Sequence, residues 1–333
     1  MRQNGTITDV PGVKVGTFTD SKAVTGCTVI LPEQGAKGGV SVKGGAPGTR
    51  ETALLHPYCS VEEVHGLVLS GGSAFGLDAA CGVMQYLEEA GFGLEASSYK
   101  IPIVPAAVIF DLFIGSGSVR PSANWGYEAA KTASSEAVEE GSRGAGTGCT
   151  VGKINGMSNA FKCGQGSASA FLSSGVVIGV LAVVNALGDI IGENGTLMAG
   201  PRNPESGKRC STLDILKKEG MGLEEKLFSS QGKGEVQDFN TTLIAVATNT
   251  NLSKVGVNRM AEIANYGLGR CISPVHTSWD GDTVFVLSTG EVNYDVDHVS
   301  AAAAEIIPEA VRRALITADS LGGIPAWKDC NDQ

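Results

Sequence analysis

A threonine that begins a chain carries two catalytic groups at once. Its hydroxyl is a nucleophile, and its α-amine, with a reference pKa of about 7.7–8.0, can act as base near neutral pH without any histidine. Asn240-Thr241-Thr242 lies where backbone cleavage would create such a group, between a charged stretch and the apolar run that starts at Leu243. Read alone, Thr241 before Thr242-Leu243-Ile244 is also ordinary strand sequence. A second cluster, Pro274 to Asp282, contains His276, Asp280 and Asp282. These aspartates stand at i and i+2, so an extended chain points both to one side, where close carboxylates can serve base and orienting roles. Asp-Gly-Asp ahead of a strand is equally good turn chemistry.

Three glycine-rich motifs carry less. Gly144 to Lys153 is shaped like a phosphate-binding loop, but Thr147 stands where a glycine is required and Ile154 where the Mg²⁺-binding Ser/Thr belongs. Gly71-Gly72-Ser73-Ala74-Phe75-Gly76 is shaped like a nucleophile elbow with Phe75 in place of the second glycine. Between a strand and a helix, Ser73 reads as an N-cap. Lys43-Gly44-Gly45-Ala46-Pro47-Gly48-Thr49-Arg50 is a rigid loop with two bases. It suits a carboxylate, or Arg50 pairs with Glu51 or another surface acid. His56, His65 and His298 read as surface or structural residues.

The elements that must position these groups follow from hydrophobic period. Short strands are expected over Ile7 to Val15, Gly26 to Leu31 and Gly39 to Val42, separated by Gly and Pro turns. Leu67-Val68-Leu69 reads as a strand leading through Ser73 into a helix that runs to about Glu89, with an apolar stripe from Phe75 to Leu87. Asn124 to Glu139 reads as a second helix. Val176 to Val184 and Leu243 to Thr248 read as buried strands, Leu252 to Gly267 and Asp297 to Leu321 as helices. Long apolar helices alternating with strands indicate layered α/β packing. Residues 202–238 stand apart, with 14 charged residues in 37 against 18% for the whole chain. They read as an exposed, mobile segment between two strand-rich halves.

Composition narrows the function classes. Lys+Arg 25 against Asp+Glu 35 gives a net charge of −10, the wrong sign for a nucleic-acid binder. Glycine, 46 of 333 residues without a triplet repeat, implies many tight turns and close backbone approaches. No apolar run reaches the 18 or so residues of a membrane span, and the first residues lack the apolar core of a secretory signal. The eight cysteines are scattered, with no CxxC and no histidine at zinc spacing, so free thiols in a reducing cytoplasm are expected, with no metal and no cofactor.

The chain resembles the self-processing L-aminopeptidase/D-esterase family (peptidase family S58), which includes β-peptidyl aminopeptidases and nylon-oligomer endohydrolases. The matching blocks are ordered along the whole chain and interrupted mainly by 202–238. They include Val10-Pro11-Gly12-Val13, Lys43 to Thr52, Leu69 to Leu77, Pro102 to Asp111 and Gly144 to Lys153. The later ones are Gly164 to Ser169, Val184-Asn185-Ala186, Asn240-Thr241-Thr242 and Pro274 to Asp282.

The resemblance implies a fold, a reaction and a site. The fold would be a single-domain α/β structure, a four-layer αββα sandwich of the N-terminal-nucleophile hydrolase type. Thr241 would be the nucleophile, exposed by autocatalytic cleavage of the Asn240–Thr241 bond into 1–240 and 241–333. Asn185 would donate to the oxyanion, and Lys162 would polarise or position nearby groups, with Lys153 the other lysine that could hold this place. Asp280 and Asp282 would complete the nucleophile's hydrogen-bond chain. Phe110, which stands where some members carry Tyr, would bind substrate with Ser73 and Arg50. The expected substrate is a small peptide or amide with a free amino end. The expected assembly is a homo-oligomer, a tetramer of processed heterodimers, without nucleic-acid or membrane partners. Acyl transfer of the ornithine-acetyltransferase type and an uncleaved, non-catalytic scaffold are the alternatives.

Overall fold

A computed structural model describes residues 5–219 and 240–330. One sheet holds five strands in the spatial order Val13–Asp20, Thr25–Pro32, Leu67–Ser70, Ala106–Val108 and Thr49–Arg50. The other holds six, in the order Gln165–Phe171, Val177–Asn185, Thr241–Thr250, Thr283–Val292, Ala36–Val42 and Glu63–Val64. Helices Ala79–Glu89 and Ala123–Lys131 pack on the first sheet, and helices Lys254–Leu268 and Val296–Ile316 on the second. The result is the expected αββα layering.

Strand alternation explains how the layers close. In the first sheet, Cys27, Val29, Leu31 and Val68 join the cluster under helices Ala79–Glu89 and Ala123–Lys131. Their neighbours Ile30, Leu67 and Leu69 face the other way, into one core shared with Leu181, Ile244, Val246 and Phe285 of the second sheet. Every residue of Val177–Asn185 and of Thr241–Thr250 is buried. Strands covered on both faces are apolar through their middle, here residues 177–184 and 243–247, which is why these segments read as continuous runs, with polar residues only at their ends. Each fully buried Val, Leu or Ile contributes about 1.5–3 kcal/mol, so these strands hold the centre of the molecule firmly.

Several elements depart from the sequence reading. Ile7–Asp9 is a 3₁₀ turn and the first strand starts only at Val13, after Gly12 turns the chain at φ 77°. The helix expected to reach Glu139 stops at Lys131. Ser134 is instead captured by the sheet edge, exchanging backbone hydrogen bonds of 2.9 and 3.0 Å with Val15. Ser73 is not a side-chain N-cap: it opens a 3₁₀ turn, Ser73–Asp78, at φ 54°, and its neighbour Gly72 takes the capping position. In the segment 202–238, helix Thr212–Glu219 is anchored by Asp189, whose carboxylate accepts the Thr212 N–H at 2.9 Å. The remainder, 220–238, lies outside the described residues. Among the described residues no helix is long and apolar enough to cross a membrane.

Candidate active site

Thr241 opens a central strand of the second sheet, between two different neighbours. On one side it lies opposite Asn185 in an antiparallel pairing. On the other, the strand runs parallel to Thr283–Val292, and Asn240 forms a bridge with Asp280. The peptide before Thr241 is therefore clamped as strand: the Asn240 N–H donates to Trp279 O at 2.9 Å, and Asn240 O accepts the Gly281 N–H at 2.7 Å. The Thr241 hydroxyl lies 2.5 Å from that same carbonyl oxygen. Thr241 is 4% exposed and Asn240 2%, so both groups sit in a poorly hydrated site.

The turn 274–282 supplies two buried carboxylates with different tasks. Asp282 accepts the Thr242 N–H at 2.7 Å through Oδ1, while Oδ2 accepts the His276 N–H at 3.0 Å and lies 2.9 Å from His276 Nδ1. Asp280 accepts the Thr277 N–H at 2.9 Å and its hydroxyl at 2.6 Å. Burial, and next the charge of Asp282, push the Asp280 carboxyl up to about 6. The spacing argument thus brought both carboxylates to one turn, but their bonds diverge, one to the Thr241 strand and one back into the turn.

The glycine-rich loop after Lys43 turns out to be the support of that turn. Lys43 N–H donates to Asp282 O at 3.0 Å, Gly45 N–H to Thr277 O at 3.1 Å and Ala46 N–H to Asp280 O at 2.9 Å. A Cβ on Gly44 would come within 2.1 Å of Asp280 O, so only glycine permits this approach. Among the described residues Arg50 pairs with no acid. Its guanidinium donates to Cys81 Sγ and Met84 Sδ, each at 3.0 Å, on helix Ala79–Glu89.

On the opposite flank, Asn185 is held by four groups. Its Oδ1 accepts the Thr150 N–H at 3.0 Å, the Thr150 hydroxyl at 3.3 Å and Lys153 Nζ at 3.0 Å, and its Nδ2 donates to Phe110 O at 3.0 Å. Lys153 also donates to the Asn185 carbonyl at 2.9 Å. Phe110, Phe113, Thr150, Lys153 and Met157 line a narrow cleft beside it. The structure places Lys162 elsewhere. It is fully buried, it donates to Cys149 O at 2.9 Å and Cys163 O at 2.8 Å, and burial pulls its ammonium down to about 8. Of the two lysines, Lys153 touches Asn185 and Lys162 backs the strand behind it.

Phe110 meets Asn185 through its carbonyl, while its ring lies against Phe113 with centroids 5.0 Å apart. Ser73 N–H donates to the adjacent Ile109 O at 2.9 Å, which puts Ser73 behind Phe110. Thr150, Thr277 and Gly281 escaped the sequence reading as individuals. The first sits inside the glycine motif 144–153 and the others inside 274–282, but nothing in their residue types marks them. The remaining histidines are structural: His65 accepts the Ile103 N–H at 3.1 Å, and His298 lies 2.9 Å from Asp295 at a helix start. Among the described residues no group of three or more His, Cys, Asp or Glu is placed to hold a metal ion. Chemically, the site offers a hydroxyl against a polarised carbonyl, two buried carboxylates behind it and an amide with a lysine in front.

Comparison with known proteins gives the family and the fold. The model of peptidase family S58 matches residues 5–326. An uncharacterized aminopeptidase of Mycobacterium tuberculosis (strain H37Rv) is 40% identical, covering 97% of this chain and 97% of its own. A 6-aminohexanoate-oligomer endohydrolase of Paenarthrobacter ureafaciens is 31% identical over 86% of this chain and 75% of its own. Among solved structures, the L-aminopeptidase D-Ala-esterase/amidase of Ochrobactrum anthropi, described as a variant of the Ntn hydrolase fold, superposes with a TM-score of 0.70 at 21% identity, covering 97% and 88% of the two chains. A Burkholderia β-aminopeptidase superposes with a TM-score of 0.68 at 21% identity, over 95% and 87%. The chain belongs to peptidase family S58 and is a hydrolase of the aminopeptidase/amidase type on the Ntn hydrolase fold.

Proposed function

We propose that the chain is a self-processing N-terminal-threonine amidohydrolase that cleaves peptides or small amides, and esters by the same chemistry. The substrates expected have a free amino end. The observation that carries this reading is the position of Thr241 Oγ, 2.5 Å from the carbonyl oxygen of the preceding residue at the start of a buried strand. Attack of that hydroxyl on the Asn240 carbonyl gives an ester, which water opens to leave Thr241 with a free α-amine. The amine then takes the proton from Oγ when a substrate carbonyl enters the cleft beside Asn185. Asn185 Nδ2 is the donor for the developing oxyanion, Lys153 fixes the amide through its Oδ1, and the acyl-threonine ester is hydrolysed in turn. Asp282 holds the strand at Thr242, and Asp280 supports the turn. In this reading Lys153 takes the part that the resemblance implied for Lys162.

Intact mass and N-terminal sequencing of purified protein test the proposal. Scaling 34.1 kDa by 240/333 and 93/333 gives fragments of roughly 25 and 9.5 kDa, the smaller beginning at Thr241. A single uncleaved species in fresh and aged preparations would refute self-processing.

A further inference from the structure

The self-cleavage reading leaves one question that the hydrogen bonds around Asn240 answer: which group stabilises the oxyanion when the chain attacks itself. In the intact chain Asn240 O accepts from the Gly281 N–H, at 2.7 Å, and from the Thr241 hydroxyl. Attack consumes the second donor, because Oγ becomes bonded to the carbonyl carbon. Among the described residues the Asn185 side chain makes no hydrogen bond to Asn240 O: one Nδ2 hydrogen goes to Phe110 O at 3.0 Å, Oδ1 is taken by Thr150 and Lys153, and the second Nδ2 hydrogen is left for a substrate carbonyl. We infer that the backbone N–H of Gly281 is the oxyanion donor of self-cleavage, distinct from the Asn185 amide that serves turnover. This rests on the self-processing reading and assigns the two reactions of one hydroxyl to two different donors.

The surroundings of Gly281 are built for that task. Its carbonyl accepts the Thr283 hydroxyl at 3.0 Å, so the peptide cannot rotate freely. On each side of it, Asp280 O and Asp282 O accept amides from the Lys43–Ala46 loop. A Cβ at residue 281 would lie 2.9 Å from Thr241 Oγ and 2.8 Å from Ala46 O, which explains why the position between the two aspartates holds glycine. The turn, the loop and the N–H are thus fixed before reaction, which is the condition for a preorganised donor.

The bonds balance as follows. Thr241 Oγ forms a bond to the Asn240 carbonyl carbon, the carbonyl electrons move onto oxygen, and the Gly281 N–H stabilises that charge. Collapse restores the carbonyl and breaks the bond to the Thr241 nitrogen, which receives the proton lost by Oγ. Water then adds to the ester, releasing the Asn240 carboxylate and the free hydroxyl. Departure of residue 240 breaks its hydrogen bond with Gly281.

Two substitutions at one position separate the donor from its packing. Gly281→Ala keeps the N–H and adds the crowding Cβ; Gly281→Pro adds similar crowding and deletes the N–H. Cleavage is followed by gel time course and intact mass, with circular dichroism reporting the fold. Gly281→Pro should cleave about 10²–10³-fold more slowly than Gly281→Ala, the usual loss for one oxyanion donor. Equal cleavage rates in the two folded variants overturn the assignment. Where Gly281→Pro does not fold, Asn185→Asp decides, since it deletes the Nδ2 donor and keeps oxygen acceptors for Thr150 and Lys153. Peptide-amide turnover per cleaved molecule should then fall far more than the cleavage rate. An equal fall in both gives the oxyanion of cleavage to Asn185 and overturns the proposal. Wild-type chain that never cleaves before Thr241 removes the self-processing reading itself, a result visible before any variant is compared.

Discussion

On one flank of Thr241, the turn 274–282 meets the strand through backbone groups and the Asp282 carboxylate, while Asp280 bonds back into the turn. On the other, Lys153 lines a cleft and holds the buried Asn185 side chain, while Lys162 is fully buried on Cys149 O and Cys163 O. The first flank is a frame: Asp282 ties Thr242 to His276, and the loop after Lys43 locks the turn from outside. The second borders a narrow cleft lined by Lys153, Phe110 and Thr150, the same three residues that fix the Asn185 amide. The difference teaches that charge alone does not mark a participant here. Of two buried aspartates and two buried lysines, Lys153 lines the cleft, while Asp280, Asp282 and Lys162 bond to the framework around it.

The largest effect expected is at the point where the flanks meet. Thr241→Ala should abolish both chain cleavage and amide hydrolysis, and Thr241→Ser should retain part of each because the hydroxyl survives. Wild-type peptidase activity in Thr241→Ala would move the nucleophile elsewhere and dissolve the comparison.

The two lysines sharpen it next. Lys153→Met should reduce turnover by about 10²-fold, since the Asn185 amide loses the cation that fixes it. Lys162→Met should chiefly cost stability, about 1–3 kcal/mol, because it leaves Cys163 O buried without its donor, whereas Cys149 O keeps the Cys163 N–H. Thermal melting beside peptide-amide kinetics distinguishes them; a kinetic loss in Lys162→Met equal to that in Lys153→Met would give Lys162 a place in the reaction.

The framing carboxylates should fail differently from Asn185. Asp280→Asn and Asp282→Asn should slow self-cleavage as well as turnover, because both reactions need Thr241 in place. A cleavage time course beside turnover checks this, and wild-type behaviour in both variants would reduce 280–282 to a strand-entry turn.

The smallest expected effect is a pH dependence. Burial raises Asp111 and Asp280 from 3.8 to about 6, so the folded chain binds these protons more tightly than the unfolded chain. Stability should therefore fall as pH rises from about 4 to about 6, and their contribution should be flat above that window. Melting temperatures across the window read this directly, and Asp111→Asn should flatten part of the slope. A slope unchanged in Asp111→Asn would assign it to other carboxylates.

Legibility in the sequence followed burial symmetry. Val177–Asn185 and Thr241–Thr250 were readable because strands covered on both faces are apolar through their middle whatever their partners. The end of helix Ala123–Lys131 was not readable, because a distant sheet edge took Ser134 away from it. Ser73 misled for a related reason: strand–serine–helix spacing does not reveal that the backbone turns at Gly72 and Ser73 first.

The site divides along the same line. Residue type and order singled out Asn240-Thr241 and the Asp280 and Asp282 pair as groups able to do this chemistry, because hydroxyl and carboxylate carry their reactivity wherever they sit, and the family resemblance added Asn185. Only the tertiary structure decided which lysine meets Asn185, since Lys153 and Lys162 are chemically alike and differ in where two short strands, Thr150–Val151 and Phe161–Lys162, send them. Nor does any side chain encode the Phe110 carbonyl or the Gly281 N–H: every residue but proline has that N–H, and only the packing of one turn against one glycine loop aims this one at Asn240.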